Sequence, residues 1–188
     1  MSVTSKKAGP RYHGWKVTRE EYLDLEDDGY KYDMLDGVLH AAPSAGFFHG
    51  KSCGEFYLRL ALYLRDNPLG TITQETDVFL PDGGDVLRPD VCFLFREHMS
   101  CVKTHIHGVP DLVCESLPDR TEKRDLGQKA SRYLTNGVSE YWILDSRKKT
   151  AEVWYNNGDS WEKHAGGILD SRLLPGFQIL VQEFWDSP

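Results

Sequence analysis

Between Phe48 and Asn67 the apolar residues Phe56, Leu60, Tyr63 and Leu64 recur at helical spacing, while Leu58, Ala61 and Leu62 fill much of the other face. That pattern predicts a largely buried helix ending before Pro68 and Gly70. The period then shortens. "TITQETDVFLP" alternates, whereas "RPDVCFLF" and "DLVCESL" are almost continuously apolar; all three read as strands, the last two central and covered on both faces. "TEKRDLGQKASRYLTNG" returns to helical spacing with Leu126, Ala130, Tyr133 and Leu134 on one face, and stops at Asn136 and Gly137. "EYWILD" is another central strand, and "TAEVWYNNGDSWEKH" has two alternating arms around Asn156, Asn157 and Gly158, a hairpin. The segment "LLPGFQILVQEFW" is apolar enough to pack back on the core.

Nearer the start, Thr18 precedes Glu21 at capping-box spacing and predicts a short helix. Gly37 divides "YKYDMLDGVLHAAP" into a hairpin or a bent strand, with Asp33 in its first arm. Residues 1–15, with Lys6, Lys7, Gly9 and Pro10, are expected to form a flexible tail. The order of helix, hairpin, helix, strands, helix, strand and hairpin predicts an α/β chain of the mixed α+β kind. Residues 16–188 would form one domain, a central mixed sheet flanked by helices, without repeats or an interdomain linker.

Composition narrows the partners. With 22 basic and 29 acidic residues the formal charge is −7, which argues against sequence-independent nucleic-acid binding by counterion release. It leaves room for an acidic site that meets nucleic acid through a divalent metal. Cys53, Cys92, Cys101 and Cys114 form no CxxC pair and read as reduced core residues. No apolar run approaches the roughly 20 residues of a membrane span, and "MSVTSKKAGPRYHGW" has no secretory core, so a cytoplasmic protein is expected.

The candidate chemistry begins at Glu115. On a strand it shares a face with Val113 and Leu117, where an uncompensated carboxylate costs several kcal/mol. Asp90 opens the preceding strand, so the two carboxylates can meet and hold Mg²⁺ or Mn²⁺, and Lys129, one helix later, can position the attacking water or neutralise developing charge. Each residue also has a plainer reading. Pro-Asp is common at strand starts, and Asp125 with Lys129 has the spacing of a surface ion pair. Arg120, Lys123 and Arg124 concentrate charge suited to phosphate contacts, although Glu122 and Asp125 interleave as on a solvated face. His105 and His107 lack an evident third ligand, and Tyr141 and Trp142 are either core or base-stacking residues.

"GVPDLVCESL" followed by "RDLGQKASRYLTNGVSEYWILD" resembles the Uma2 family of restriction endonucleases, within the PD-(D/E)xK nuclease superfamily. "RPDVCFL", "YDMLDGVL" and "LLPGFQI" extend the resemblance from about Tyr32 to Phe184. It implies a restriction-endonuclease-like fold, Asp90 and Glu115 as metal ligands, Lys129 as the catalytic lysine, and Asp33 and His49 at the edge of the site. The implied activity is metal-dependent hydrolysis of phosphodiester bonds in DNA, with a homodimer suited to cutting two strands. Two positions depart from the pattern. Leu117 stands where an E-x-K motif has lysine, and "LPDRT" replaces the family's Ser-Pro-Ser-Thr. A nuclease-fold binding module or homo-oligomeric scaffold with little turnover is the alternative.

Overall fold

The computed structural model describes residues 9–81, 84–117 and 125–187. The capping box forms as its spacing predicts: the Glu21 amide donates to Thr18 Oγ1 at 3.2 Å, and Glu21 Oε2 accepts from the Thr18 amide at 2.7 Å. It starts α1 (Arg19–Leu23). β1 (Tyr32–Leu35) and β2 (Val38–Ala41) follow as an antiparallel hairpin, turned by Asp36 and Gly37 at φ of 52° and 74°. Both positive angles belong to the tight turn that matches strand twist, which explains the glycine.

α2 (Phe47–Asp66) occupies the predicted stretch but is amphipathic. Ser52, Cys53, Phe56, Leu60 and Leu64 are buried, whereas Leu58 and Leu62 are 52% and 46% exposed. The expectation of a largely buried helix fails because only one face of α2 meets a sheet. "TITQETDVFLP" is likewise not one strand. It divides into β3 (Gly70–Gln74) and β4 (Val78–Phe79), which join different sheets after the backbone turns at Glu75, φ 48°.

β5 (Val86–Leu87), β6 (Val91–Phe95) and β7 (Leu112–Ser116) come next, with a 3-10 turn over Arg96–Cys101 between the last two. A π-helical turn, Asp125–Lys129, runs directly into α3 (Ala130–Asn136), which Gly137 ends in the left-handed conformation at φ 90°. The remaining elements are β8 (Glu140–Asp145), the hairpin β9 (Thr150–Asn156) and β10 (Trp161–Ala165), then β11 (Ile168–Asp170), β12 (Gln178–Leu180) and α4 (Val181–Asp186).

Six strands form the central mixed sheet in the order β10-β9-β8-β7-β6-β3, with β7 and β8 parallel and the other neighbours antiparallel. Period-two alternation assigns its two faces. Leu112 and Cys114 of β7 join Phe56, Leu60, Trp142, Phe177 and Phe184 beneath α2; Val113 and Leu117 join Ala130, Tyr133, Tyr141 and Trp154 beneath α3. Tyr141 and Trp142 are therefore core residues on opposite faces, and neither offers a ring to a base. Phe56 packs on Trp142 and Phe177 with centroids 5.5 and 6.1 Å apart. Phe56→Ala is expected to lower unfolding free energy by about 3–5 kcal/mol in urea titrations, through lost burial and an unfilled cavity.

A second sheet, β2-β1-β5-β4, covers a smaller core of Tyr12, Tyr22, Tyr32, Met34, Leu39, Phe79 and Val86. Residues 12–15, within the stretch expected as a tail, pack against this sheet. Tyr12 is buried, the Gly14 amide donates to Leu39 O and the Leu39 amide to Trp15 O, each at 2.8 Å. All four cysteines are free. Among the described residues, no helix is long and apolar enough to cross a membrane.

Candidate active site

The antiparallel register pairs Val91 with Cys114 and Cys92 with Val113. Asp90 immediately precedes β6 and Glu115 immediately follows Cys114 on β7, so both carboxylates come to the same end of the two strands, where they line one cleft. Asp90 Oδ2 accepts from the Ser116 amide at 2.7 Å, which fixes its carboxylate against β7. Its other oxygen lies 3.3 Å from His49 Nε2, on the first turns of α2. His49 Nδ1 reaches Ser116 O at 3.1 Å, and Ser52 Oγ meets Ser116 Oγ at 2.7 Å, so polar contacts tie α2 to the end of β7.

The Glu115 side chain meets the helical layer of α3 and the turn before it. Its Oε1 accepts from Lys129 Nζ and from Tyr133 Oη, both at 2.9 Å. Lys129 Nζ also lies 3.4 Å from Asp33 Oδ2, and Asp33 Oδ1 accepts from the Arg88 amide at 3.0 Å. Asp33, Glu115 and Lys129 are only 2%, 4% and 3% exposed. The acid inside an apolar strand is thus held by an ammonium and a phenol instead of being left uncompensated. Lys129 ends the π-turn and Tyr133 follows one α-turn later, so both reach the same carboxylate oxygen. Burial, with Glu115 alongside, holds the Tyr133 hydroxyl well above its ordinary pKa, keeping it a donor.

Asp33, His49, Arg88, Asp90, Glu115 and Lys129 all line one cleft of about 260 Å³. The structure therefore brings together all five sequence candidates for catalysis or the site's edge. Lys129 is buried, so its reading as half of a surface ion pair does not hold. Leu117, at the position of an E-x-K lysine, is buried apolar core; the ammonium reaches Glu115 from the helical layer instead. Arg120, Lys123 and Arg124 lie outside the described residues. His107 stacks on Phe79 and His105 lies 3.9 Å from Asp77, and neither lines the cleft.

Four contributors escaped the sequence reading. Tyr133 stood there on an apolar helix face and within the stretch that carries the resemblance, with no role at the site, although its four-residue offset from Lys129 is the available signal. Ser116, Ser52 and Arg88 act through short polar contacts or backbone that periodicity does not register. Removing the Tyr133 hydroxyl deprives a buried carboxylate of a donor. Tyr133→Phe is expected to cost about 1–3 kcal/mol of stability, read by chemical denaturation, with native circular dichroism retained.

The donors suit a hard divalent cation in part: Asp90 and Glu115 offer carboxylate oxygens from adjacent strands, as Mg²⁺ prefers. Among the described residues, His49, Cys53 and Asp90 form the group of three whose potential ligand atoms lie within 4.8 Å of one another.

Comparison with known proteins agrees with this architecture. The sequence profile of the Uma2 family, described as "Putative restriction endonuclease", matches residues 19–182. No curated protein matches the chain in sequence. The crystal structure of a "putative nuclease belonging to DUF820" from Anabaena variabilis aligns with a TM-score of 0.79 at 12% identity, over 90% of this chain and 98% of that one. At that identity the likeness establishes the fold.

Proposed function

The chain belongs to the Uma2 family, and from that premise we propose that it is a metal-dependent endonuclease hydrolysing phosphodiester bonds in DNA. The observation that carries the reading is the buried Lys129 ammonium, 2.9 Å from Glu115 and 3.4 Å from Asp33, in the cleft that Asp90 also lines. Asp90 and Glu115 would hold Mg²⁺ or Mn²⁺, and the bound ion supplies Lewis acidity and an activated water. The protein's own groups do the positioning. The Ser116 amide orients Asp90, Tyr133 and Lys129 orient Glu115, and Lys129 places positive charge where a phosphate oxygen gains negative charge during displacement. Asp33 holds Lys129 from its far side.

A cytoplasmic enzyme, working as a homodimer with one site for each strand, completes this reading. The specific observation favouring low turnover instead is the occupation of Glu115 Oε1 by Lys129 and Tyr133. That arrangement suits a nuclease-fold binding module whose acid is structural. Offering DNA and RNA of the same sequence separates substrate classes: DNA cleavage in Mg²⁺ that stops on chelation is the expected result. Binding of both without cutting either would favour the binding module.

A further inference from the structure

His49, Cys53 and Asp90 bring a second set of potential ligand atoms together at the wall of the cleft. His49 and Cys53 are four residues apart on α2, so both side chains descend from one helix face toward Asp90. His49 Nδ1 faces Ser116 O at 3.1 Å, and a carbonyl oxygen only accepts, so Nδ1 is the protonated, donating nitrogen. Nε2 faces a second acceptor, Asp90 Oδ1, at 3.3 Å. The ring thus lies between two acceptors, Ser116 O and Asp90 Oδ1, and a cation between Nε2 and the carboxylate, a proton or a metal ion, satisfies that geometry. An imidazole bound through one nitrogen while the other donates to a backbone carbonyl is the usual outer support of a metal-ligating histidine.

The spacing suits a small tetrahedral ion. Two nitrogen or oxygen ligands each about 2.0 Å from such an ion stand about 3.3 Å apart, matching the His49–Asp90 separation. Cys53 Sγ completes the set within 4.8 Å and needs only a modest approach to coordinate. Sulfur, imidazole and carboxylate donors together favour zinc-class ions over magnesium, whose ligands are oxygens.

We infer that His49 Nε2, Cys53 Sγ and an Asp90 carboxylate oxygen form a site for a zinc-class transition-metal ion, distinct in donor chemistry from the Asp90–Glu115 pair. On binding, the ion forms its bond to sulfur as the thiol proton leaves to solvent, with no change of oxidation state. Because Asp90 belongs to both donor sets, an ion held by Cys53 competes with Mg²⁺ for that carboxylate; this consequence rests on the nuclease reading, whereas the binding itself does not.

Cobalt(II) titrated into the reduced full chain gives the test, since thiolate ligation produces near-ultraviolet charge-transfer absorption. The expected result is a saturable band, bleached by Zn²⁺ but not by Mg²⁺. It should be lost in Cys53→Ser, with Co²⁺ affinity reduced about tenfold or more. His49→Gln should weaken it similarly and covers the case in which Cys53→Ser does not fold, as judged by circular dichroism. Cys101→Ser and Glu115→Gln should retain it. Absence of the band from the wild type, or its persistence in folded Cys53→Ser, overturns the site. Failure to cleave DNA bears on the nuclease reading alone, because the absorption needs no DNA.

Discussion

Replacing Glu115 by glutamine is expected to lower Mg²⁺-dependent DNA cleavage by at least about 10²-fold, the scale associated with loss of one preorganised electrostatic group. The substitution keeps the size of the side chain and one carbonyl oxygen, so Tyr133 and Lys129 retain an acceptor where each now donates at 2.9 Å. What disappears is the negative charge that, with Asp90, would attract a divalent ion. Lys129 keeps Asp33 as a counter-ion at 3.4 Å, so the variant should fold with a much smaller stability loss than removal of the lysine causes. Cleavage rate and urea midpoint measured on the same preparation separate these effects. A folded Glu115→Gln protein that cuts at the wild-type rate would remove Glu115 from the chemistry.

Lys129→Met has the larger structural effect. Methionine fills a similar volume but leaves Glu115 and Asp33 buried as carboxylates without the ammonium between them. Removing one partner of a buried ion pair costs about 3–5 kcal/mol, so a Tm reduction of roughly 10 °C is expected for a chain of this size. Cleavage should be lost as well. Adding Glu115→Gln to Lys129→Met relieves one unpaired charge, so the double variant should be more stable than Lys129→Met alone. That non-additivity is the signature of coupling through a shared contact. Additive losses would show that Lys129 and Glu115 do not depend on each other.

The parts legible in the sequence are those in which local chemistry and tertiary packing agree. The Thr18–Glu21 box, the Gly37 turn, the "EYWILD" strand and the hairpin after it each follow from spacing that the fold does not override. Glu115 was conspicuous because an acid among apolar neighbours needs a compensating partner. Lys129 was different: it stood as a candidate for the site, but its sequence neighbours equally permit a surface ion pair, and the resemblance weighed for the site. Its burial depends on how the π-turn and α3 cross the sheet, which helical periodicity does not encode. Tyr133 fitted an apolar stripe because a phenol satisfies both the core and a hydrogen bond. The break between β3 and β4 has its cause in the positive φ of Glu75, a residue without an intrinsic preference for turning there. Cys53 read as core and is core, yet the register of α2 against the end of β7 brings its sulfur near His49 and Asp90, a relation between segments remote in sequence.

We propose that Asp90, Glu115 and Lys129 form one metal-dependent phosphodiesterase site. Its most direct test is nicking of supercoiled plasmid by wild type, Glu115→Gln and Lys129→Ala, purified identically and compared in Mg²⁺, in Mn²⁺ and after chelation. Divalent-dependent nicking by the wild type, absent from both variants when each is confirmed folded, is the expected result. Equal nicking by all three proteins, or none by the wild type in either metal, would contradict it.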